Sequence, residues 1–211
     1  MAGVLSGMMK AVHGPVYASR QRALVELIVS VLKPGDRVLD VGCGVGSLGR
    51  AIMDDPSCPE GVSVEGLERF ARGGEPIPVH AYDGGAMPFE ADAYDVVIVA
   101  DVLHHEADEG ALLRECARVS GRLVVVKDHT VNGWWSKLRV SLIDWAANAP
   151  HGVPCLFRYH STAEWEALPG EVGLEAKRAL HGVRVYPPFW EQCFGGKLHY
   201  FGVWGQPGSS D

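Results

Sequence analysis

The chain has 211 residues, of which 47 % are hydrophobic and 21 % charged, with a formal net charge of -7. This is the range of an ordinary globular domain with enough apolar side chains for a sizeable core, and the acidic balance argues against a nucleic-acid partner. No apolar run is long enough to span a bilayer and the first residues lack the pattern of a signal peptide, so a cytoplasmic protein is expected. The five cysteines, at 43, 58, 116, 155 and 193, are odd in number and include no CxxC, which speaks against a disulfide framework or a metal site built on them.

In chain order, residues 16–32 (VYASRQRALVELIVSVL) place Leu24, Leu27, Ile28 and Val31 at helical spacing, and the proline and glycine of LKPGD end that helix. Short apolar runs then read as buried strands: RVLDV at 37–41, VSVEGLE at 62–68, IPVHAYD at 77–83, YDVVIVA at 94–100 and RLVVVKD at 122–128. Helical stretches lie between them, SLGRAIMDD after the first and EGALLRECARV after the fourth, the latter with Leu112, Leu113 and Cys116 on one face. Val- and Ile-rich strands that alternate with helices predict an α/β protein with a mostly parallel sheet covered on both faces.

From 130 to 170 the rhythm breaks. NGWWSKLRVSLIDWAANA sets Trp135, Leu138, Leu142 and Trp145 along one helical stripe, which is expected to be core, and SxxE at 161–164 is a capping box that opens a short helix through Trp165. LEAKRAL at 174–180 and KLHYFGVW at 197–204 supply two more strands, joined through a loop rich in Pro and Gly. The expected organisation is one domain over 1–211, with an N-terminal helix at 16–32 and a lid-like insertion at about 130–170.

The first strand runs into VLDVGCGVGSLG, where Gly44, Gly46 and Gly49 satisfy GxGxxG. By itself that pattern is weak, because many strand-to-helix turns need glycine. Charge discriminates. A pyrophosphate site tolerates few acids, yet Asp40 stands two residues before the glycines, and no Lys or Arg occurs between Arg37 and Arg50. Glu68 and Asp83 stand at or near the ends of the next two strands, so three carboxylates converge on the crevice at the carboxyl edge of the sheet. They suit a ligand with positive charge and a ribose diol, demands met by S-adenosylmethionine (SAM). A nicotinamide-dependent oxidoreductase would not need them.

VLDVGCGVG resembles the first motif of the class I SAM-dependent methyltransferases, GLE at 66–68 their second-strand motif, AYDGGAMPFEADAYDVVIVADVLHH at 81–105 their third and fourth, and GRLVVVKDH at 121–129 their fifth strand. The pattern is most similar to the type 11 methyltransferase domain and covers residues 35 to about 130. The resemblance implies a Rossmann-like fold whose seven-stranded sheet is parallel except for an antiparallel last strand. It implies that Gly42, Cys43, Gly44 and Gly46 wrap the methionine end of SAM with Asp40 supporting its ammonium group. Glu68 would take the ribose hydroxyls, with Glu65 as a fallback. Asp83 would accept from the adenine amine between Tyr82 and Gly84, and Ala100 and Asp101 would bring backbone groups near the methionine.

Methyl transfer needs alignment first and a base second. His104 and His105 follow the fourth strand and His129 follows the fifth, and each is a candidate base; the alternative for the pair is a helix cap. Asp128 is a further candidate contact, while His151, Tyr159 and His160 read as structural parts of the lid. All six tryptophans come after residue 133, with Trp204 and Phe201 expected in the core. The insertion, VYPPFW at 185–190 and the N-terminal helix are expected to enclose a small, apolar or aromatic acceptor. The alternatives are an RNA or protein methyltransferase and a SAM-binding accessory protein without catalysis. Neither the methylated atom nor the oligomeric state is written in the sequence.

Overall fold

The computed structural model describes residues 17–70, 73–148, 156–195 and 197–208. Helix α1 spans 17–29. It is followed by β1 (Arg37–Val41), α2 (Ser47–Asp54), β2 (Ser63–Glu68), β3 (Val79–Ala81), β4 (Tyr94–Ala100), a 3-10 turn (Leu103–His105), α3 (Glu109–Val119) and β5 (Ser120–His129). Then come α4 (Trp134–Asn148), α5 (Thr162–Glu171), β6 (Glu175–His181), α6 (Pro188–Phe194) and β7 (His199–Gly205).

The seven strands are ordered β3-β2-β1-β4-β5-β7-β6. Pairings from β3 through β5 are parallel, and β7 runs antiparallel to both β5 and β6. The chain winds outward from β1 in one direction and then from β4 in the other, so the helices that follow β1 and β4 diverge and leave a crevice at those strands' carboxyl ends.

Alternation along the strands divides the core in two. Leu39, Val41, Val97, Val99, Val124 and Val126 face one side, where Leu112, Leu113 and Cys116 of α3 and Trp165 of α5 cover them. Val38, Val96, Ile98, Leu123 and Val125 face the other, under Leu24, Val25, Ile28 and Val29 of α1 and Ile52 of α2. In β1 this leaves Asp40 on the α1 side, buried with its apolar neighbours. Trp204 and Phe201 of β7 are fully buried, as expected.

The structure differs from the sequence reading at six places. The third strand contracts from 77–83 to Val79–Ala81, and α1 ends at residue 29 rather than 32. The helix opened by the Ser161–Glu164 capping box continues to Glu171, because Trp165, Leu168 and Pro169 are all buried along it. Within the expected loop between β6 and β7, Pro188 starts helix α6, as its fixed φ at the first helical positions allows. His104 and His105 form the 3-10 turn, and α3 is capped instead by Asp108, whose side chain accepts from the Ala111 amide.

The sixth difference is the stripe on α4. Trp135, Leu138, Leu142 and Trp145 are exposed, joined by Trp134, while the inward face carries Val140 and the carboxylate of Asp144. Asp144 accepts from Tyr159 Oη at 2.8 Å, so the face turned inward is the one that carries this carboxylate. Of the segment 130–170, α5 packs into the core and α4 lies on its periphery.

Candidate active site

The glycine loop forms the floor of the crevice. Gly42 and Gly44 have φ of 69° and 57°, in the left-handed region that side chains disfavour. A Cβ on Gly42 would lie 2.5 Å from Val102 Cγ2, whereas one on Gly44 would meet nothing within 4 Å and would project into open space. Gly49 lacks a positive φ; its role is packing, since a Cβ there would fall 2.7 Å from Ile77 Cδ1 and 2.8 Å from Val64 Cγ1. The third glycine of GxGxxG therefore seats α2 on β2.

A cavity of about 250 Å³ opens between this loop and α1, bordered by Tyr17, Arg20, Gln21, Asp40, Gly44 and Ala100. Gln21 Nε2 donates to the Ser47 carbonyl at 2.8 Å and ties α1 to the start of α2. A larger concavity of about 390 Å³ lies at the opposite end of the strands, beside Lys33, Arg122 and Arg178. There Arg122 pairs with Asp36 and Arg178 bonds Ser30 Oγ, so these two guanidinium groups serve the fold.

Asp40 is 2 % exposed, and its Oδ2 has no hydrogen-bond partner among the described residues. Burial and the neighbouring Glu68 raise its carboxyl to about 7. Glu68 Oε2 accepts from the Gly44 amide at 2.8 Å, and Oε1 from the Arg69 and Phe70 amides at 2.8 and 3.2 Å. Glu65 is engaged elsewhere, with His80 Nε2 at 2.7 Å and Tyr94 Oη at 2.9 Å. Burial pushes the Cys43 thiol up to about 12, which makes it a poor nucleophile.

Beyond Glu68, Asp83 is exposed and its Oδ1 accepts from the Gly85 amide at 2.9 Å. Tyr82 and Gly84 lie beneath the Arg69 guanidinium, which is 6.0 Å from the Tyr82 ring and bonds Glu106 at 2.7 Å. Sequence reasoning missed Arg69, although its position directly after the β2 acid was a usable signal.

On the β4 side, Asp101 has φ of 58° and a carboxylate bonded by both Arg20 and Lys127, the latter at 2.5 Å. Burial opposes its ionisation, but the two cations hold the carboxyl well below its ordinary value. Burial and Arg20 bring Lys127 down to about 8. His129 Nε2 lies 3.9 Å from Asp101 Oδ1, and its buried Nδ1 has no partner among the described residues. Burial and Lys127 lower this imidazole to about 4, so it is neutral at physiological pH. The His199 ring lies beside it, tilted by 42°, with ring centroids 5.1 Å apart.

His104 sits between two carboxylates, with Nδ1 2.6 Å from Asp128 Oδ1 and Nε2 3.6 Å from Asp144 Oδ1. Burial opposes its charge, yet Asp128 and Asp144 prevail and raise it to about 10. His105 Nε2 approaches the same Asp144 oxygen at 3.8 Å. The three candidate histidines thus gather within one cluster, in which His104 carries a proton and His129 does not. His160 pairs with Glu109 at 3.0 Å, and His151 lies outside the described residues. Arg20, Lys127, Asp144 and His199 were not foreseen. Lys127, Asp144 and His199 lie in otherwise apolar strand or helix runs, where a polar residue was the available signal; Arg20 lies in the polar run YASRQRA and offered none.

The strand order, the reversed β7 and the acid-lined crevice define a class I SAM-dependent methyltransferase domain. The family model described as "Methyltransferase domain" matches residues 17–176, and the chain belongs to that family, which shares a clan with the type 11 domain. Among curated relatives, the chain is 35 % identical over 100 residues to the ubiquinone biosynthesis O-methyltransferase of Sodalis glossinidius, covering 40 % of this chain and 37 % of that protein. It is 28 % identical over 171 residues to the ubiquinone biosynthesis O-methyltransferase of Caulobacter sp. (strain K31), covering 74 % and 62 %. The matched region therefore spans less than two thirds of either relative's length. Among solved structures, Burkholderia thailandensis 1,6-didemethyltoxoflavin-N1-methyltransferase with bound S-adenosylhomocysteine superposes with a TM-score of 0.62 at 16 % identity, over 90 % of this chain and 78 % of that one. Among the described residues, no helix is long and apolar enough to cross a membrane.

Proposed function

We propose that the chain transfers the methyl group of SAM to an oxygen of a small aromatic acceptor by in-line displacement. The observation that carries this reading is Asp40: a buried carboxylate with an unpartnered oxygen beside an open glycine loop fits a ligand that brings a cation. Asp40 would balance the ammonium group, with Gly42, Cys43, Gly44 and Gly46 wrapping the methionine portion. Glu68 would exchange a backbone bond for the ribose hydroxyls. Tyr82, Asp83 and Gly84 would receive the adenine under Arg69, and the backbone at Ala100 and Asp101 would border the methionine. When bound, SAM supplies a methyl group activated by its sulfonium.

The acceptor would lie on the far side of Asp101, against His129. This neutral imidazole is the member of the histidine cluster able to take a hydrogen bond or a proton from an acceptor hydroxyl. His104, already protonated, would act through its charge, and His105 would border the opening. Oxygen is favoured over nitrogen because the curated relatives are named O-methyltransferases. The single domain and the peripheral α4 as part of a lid belong to the same proposal.

Titration calorimetry with S-adenosylhomocysteine tests the cofactor half. Glu68→Gln is expected to weaken binding about 10-fold or more, the worth of a charged hydrogen bond of roughly 1.5–3 kcal/mol. Unchanged affinity in both Glu68→Gln and Asp40→Asn would overturn the assignment. Turnover of labelled SAM with cell extract tests the transfer; cofactor binding without any labelled product would favour an accessory protein.

A further inference from the structure

We infer that His104, His105 and Asp144 form a binding site for a divalent transition-metal ion beside the acceptor position. One donor atom from each of the three lies within 4.8 Å of the others, and Asp144 Oδ1 is 3.6 Å from His104 Nε2 and 3.8 Å from His105 Nε2. Ligands about 2.0–2.1 Å from a tetrahedral ion stand roughly 3.3 Å apart, so side-chain adjustments on the order of 0.3–1.5 Å would close the cage.

The partners behind these atoms are already in place. Asp128 Oδ1 binds His104 Nδ1 at 2.6 Å, which aims Nε2 at Asp144, the carboxylate–histidine arrangement that orients metal ligands. Tyr159 Oη donates to Asp144 Oδ2 at 2.8 Å and leaves Oδ1 facing the imidazoles. The support comes from the turn after β4, the end of β5, helix α4 and the segment before α5, elements far apart in sequence. His104 and Asp144 are buried, while the His105 side chain keeps 19 % exposure and gives a way in from solvent. Two imidazoles and one carboxylate select ions of the zinc, cobalt, iron and manganese class over calcium or magnesium. Three protein ligands are also the number that catalytic zinc sites use when a fourth position serves a water or a substrate.

The purpose assigned to the ion rests on the methyl-transfer reading. The His104 ring is 5.3 Å from that of His129, which neighbours Asp101. An ion here would take the acceptor's hydroxyl oxygen as its fourth ligand, and the hydroxyl proton would pass to the neutral imidazole of His129. The oxygen lone pair then forms the new C–O bond as the S–CH3 bond breaks, and the sulfur keeps the electron pair. On metal entry His104 releases its own Nε2 proton, so one dication replaces one proton between Asp128 and Asp144.

The test uses the full chain after chelator treatment, titrated with Co²⁺ by visible absorption and with Zn²⁺ by calorimetry. One saturable equivalent is expected, with ligand-field bands and no sulfur-to-metal charge transfer, which separates the site from the cysteines. His105→Gln and Asp144→Asn should each weaken it at least about 10-fold. Far-UV circular dichroism checks folding, and the partly exposed His105 keeps the test usable if Asp144→Asn unfolds. No saturable binding, or binding untouched by His105→Gln, would overturn the inference. S-adenosylhomocysteine titrated in parallel separates the two claims: cofactor binding without metal binding sinks the metal site alone, and metal binding without cofactor binding sinks the methyl-transfer reading.

Discussion

Asp40 was legible in the sequence as an acid at the mouth of a glycine loop, but its protonation is a product of packing. The strand places its side chain on the α1 side among apolar residues, and burial with Glu68 nearby raises the carboxyl to about 7. A cation seated beside it would lower that value again, so binding would expel a proton. Affinity for S-adenosylhomocysteine, whose ammonium group is retained, is therefore expected to rise as pH increases from 6 to 8. Calorimetry in buffers of different ionisation enthalpy would count the proton released. In Asp40→Asn both the rise and the proton release should vanish; if they persist, another group titrates.

Two tryptophan-bearing helices have opposite roles. Trp165 of α5 is 1 % exposed, donates its indole N–H to the His129 carbonyl at 3.1 Å and stacks on Tyr200 at 4.4 Å with rings 7° from parallel. Trp135 of α4 is 58 % exposed. By chemical denaturation, Trp165→Ala is expected to cost about 3–5 kcal/mol, and Trp135→Ala to stay within about 0.5 kcal/mol. Similar losses from both would mean that α4 buries its stripe in solution. The pattern in WWSKLRVSLIDW identified a helix and its apolar face correctly. The face turned inward carries Asp144, whose partners His104 and Tyr159 come from other segments and so are not visible in the helix's own pattern.

Across the whole molecule, buried titrating groups oppose one another and set a pH optimum for stability. His129 and His199 are held neutral by burial, so between about pH 4 and 6.5 the unfolded chain binds two protons that the folded chain refuses. Asp40 works the other way over this range, being protonated only when folded. The balance is one proton, and stability should rise by ~1.4 kcal/mol per pH unit. Above pH 6.5 the sign reverses, because His104 keeps its proton when folded up to about 10 and loses it when unfolded. From about pH 8 the folded state also gives up the Lys127 proton early, and this offsets part of the loss. Melting temperature is thus expected to peak near pH 6.5, fall towards 8 and then fall less steeply. A monotonic increase from pH 5 to 9 would contradict the assigned protonation of His104.

The sequence by itself determined the sheet, because strands buried on both faces must be apolar throughout and their Val- and Ile-rich runs stand out from the helices between them. It also singled out the glycines and acids proposed to hold the cofactor. Glycines of positive φ and acids at strand ends are local features, and strand order carries them to one crevice. Only the tertiary structure decided which groups gather beyond Asp101, where the acceptor is proposed to lie. There Arg20 meets Asp101 across 81 positions, and His104 meets Asp128 and Asp144 from three separate elements. Such clusters leave no periodic trace: a buried charge is stable only beside its partner, and the fold alone sets which partners meet.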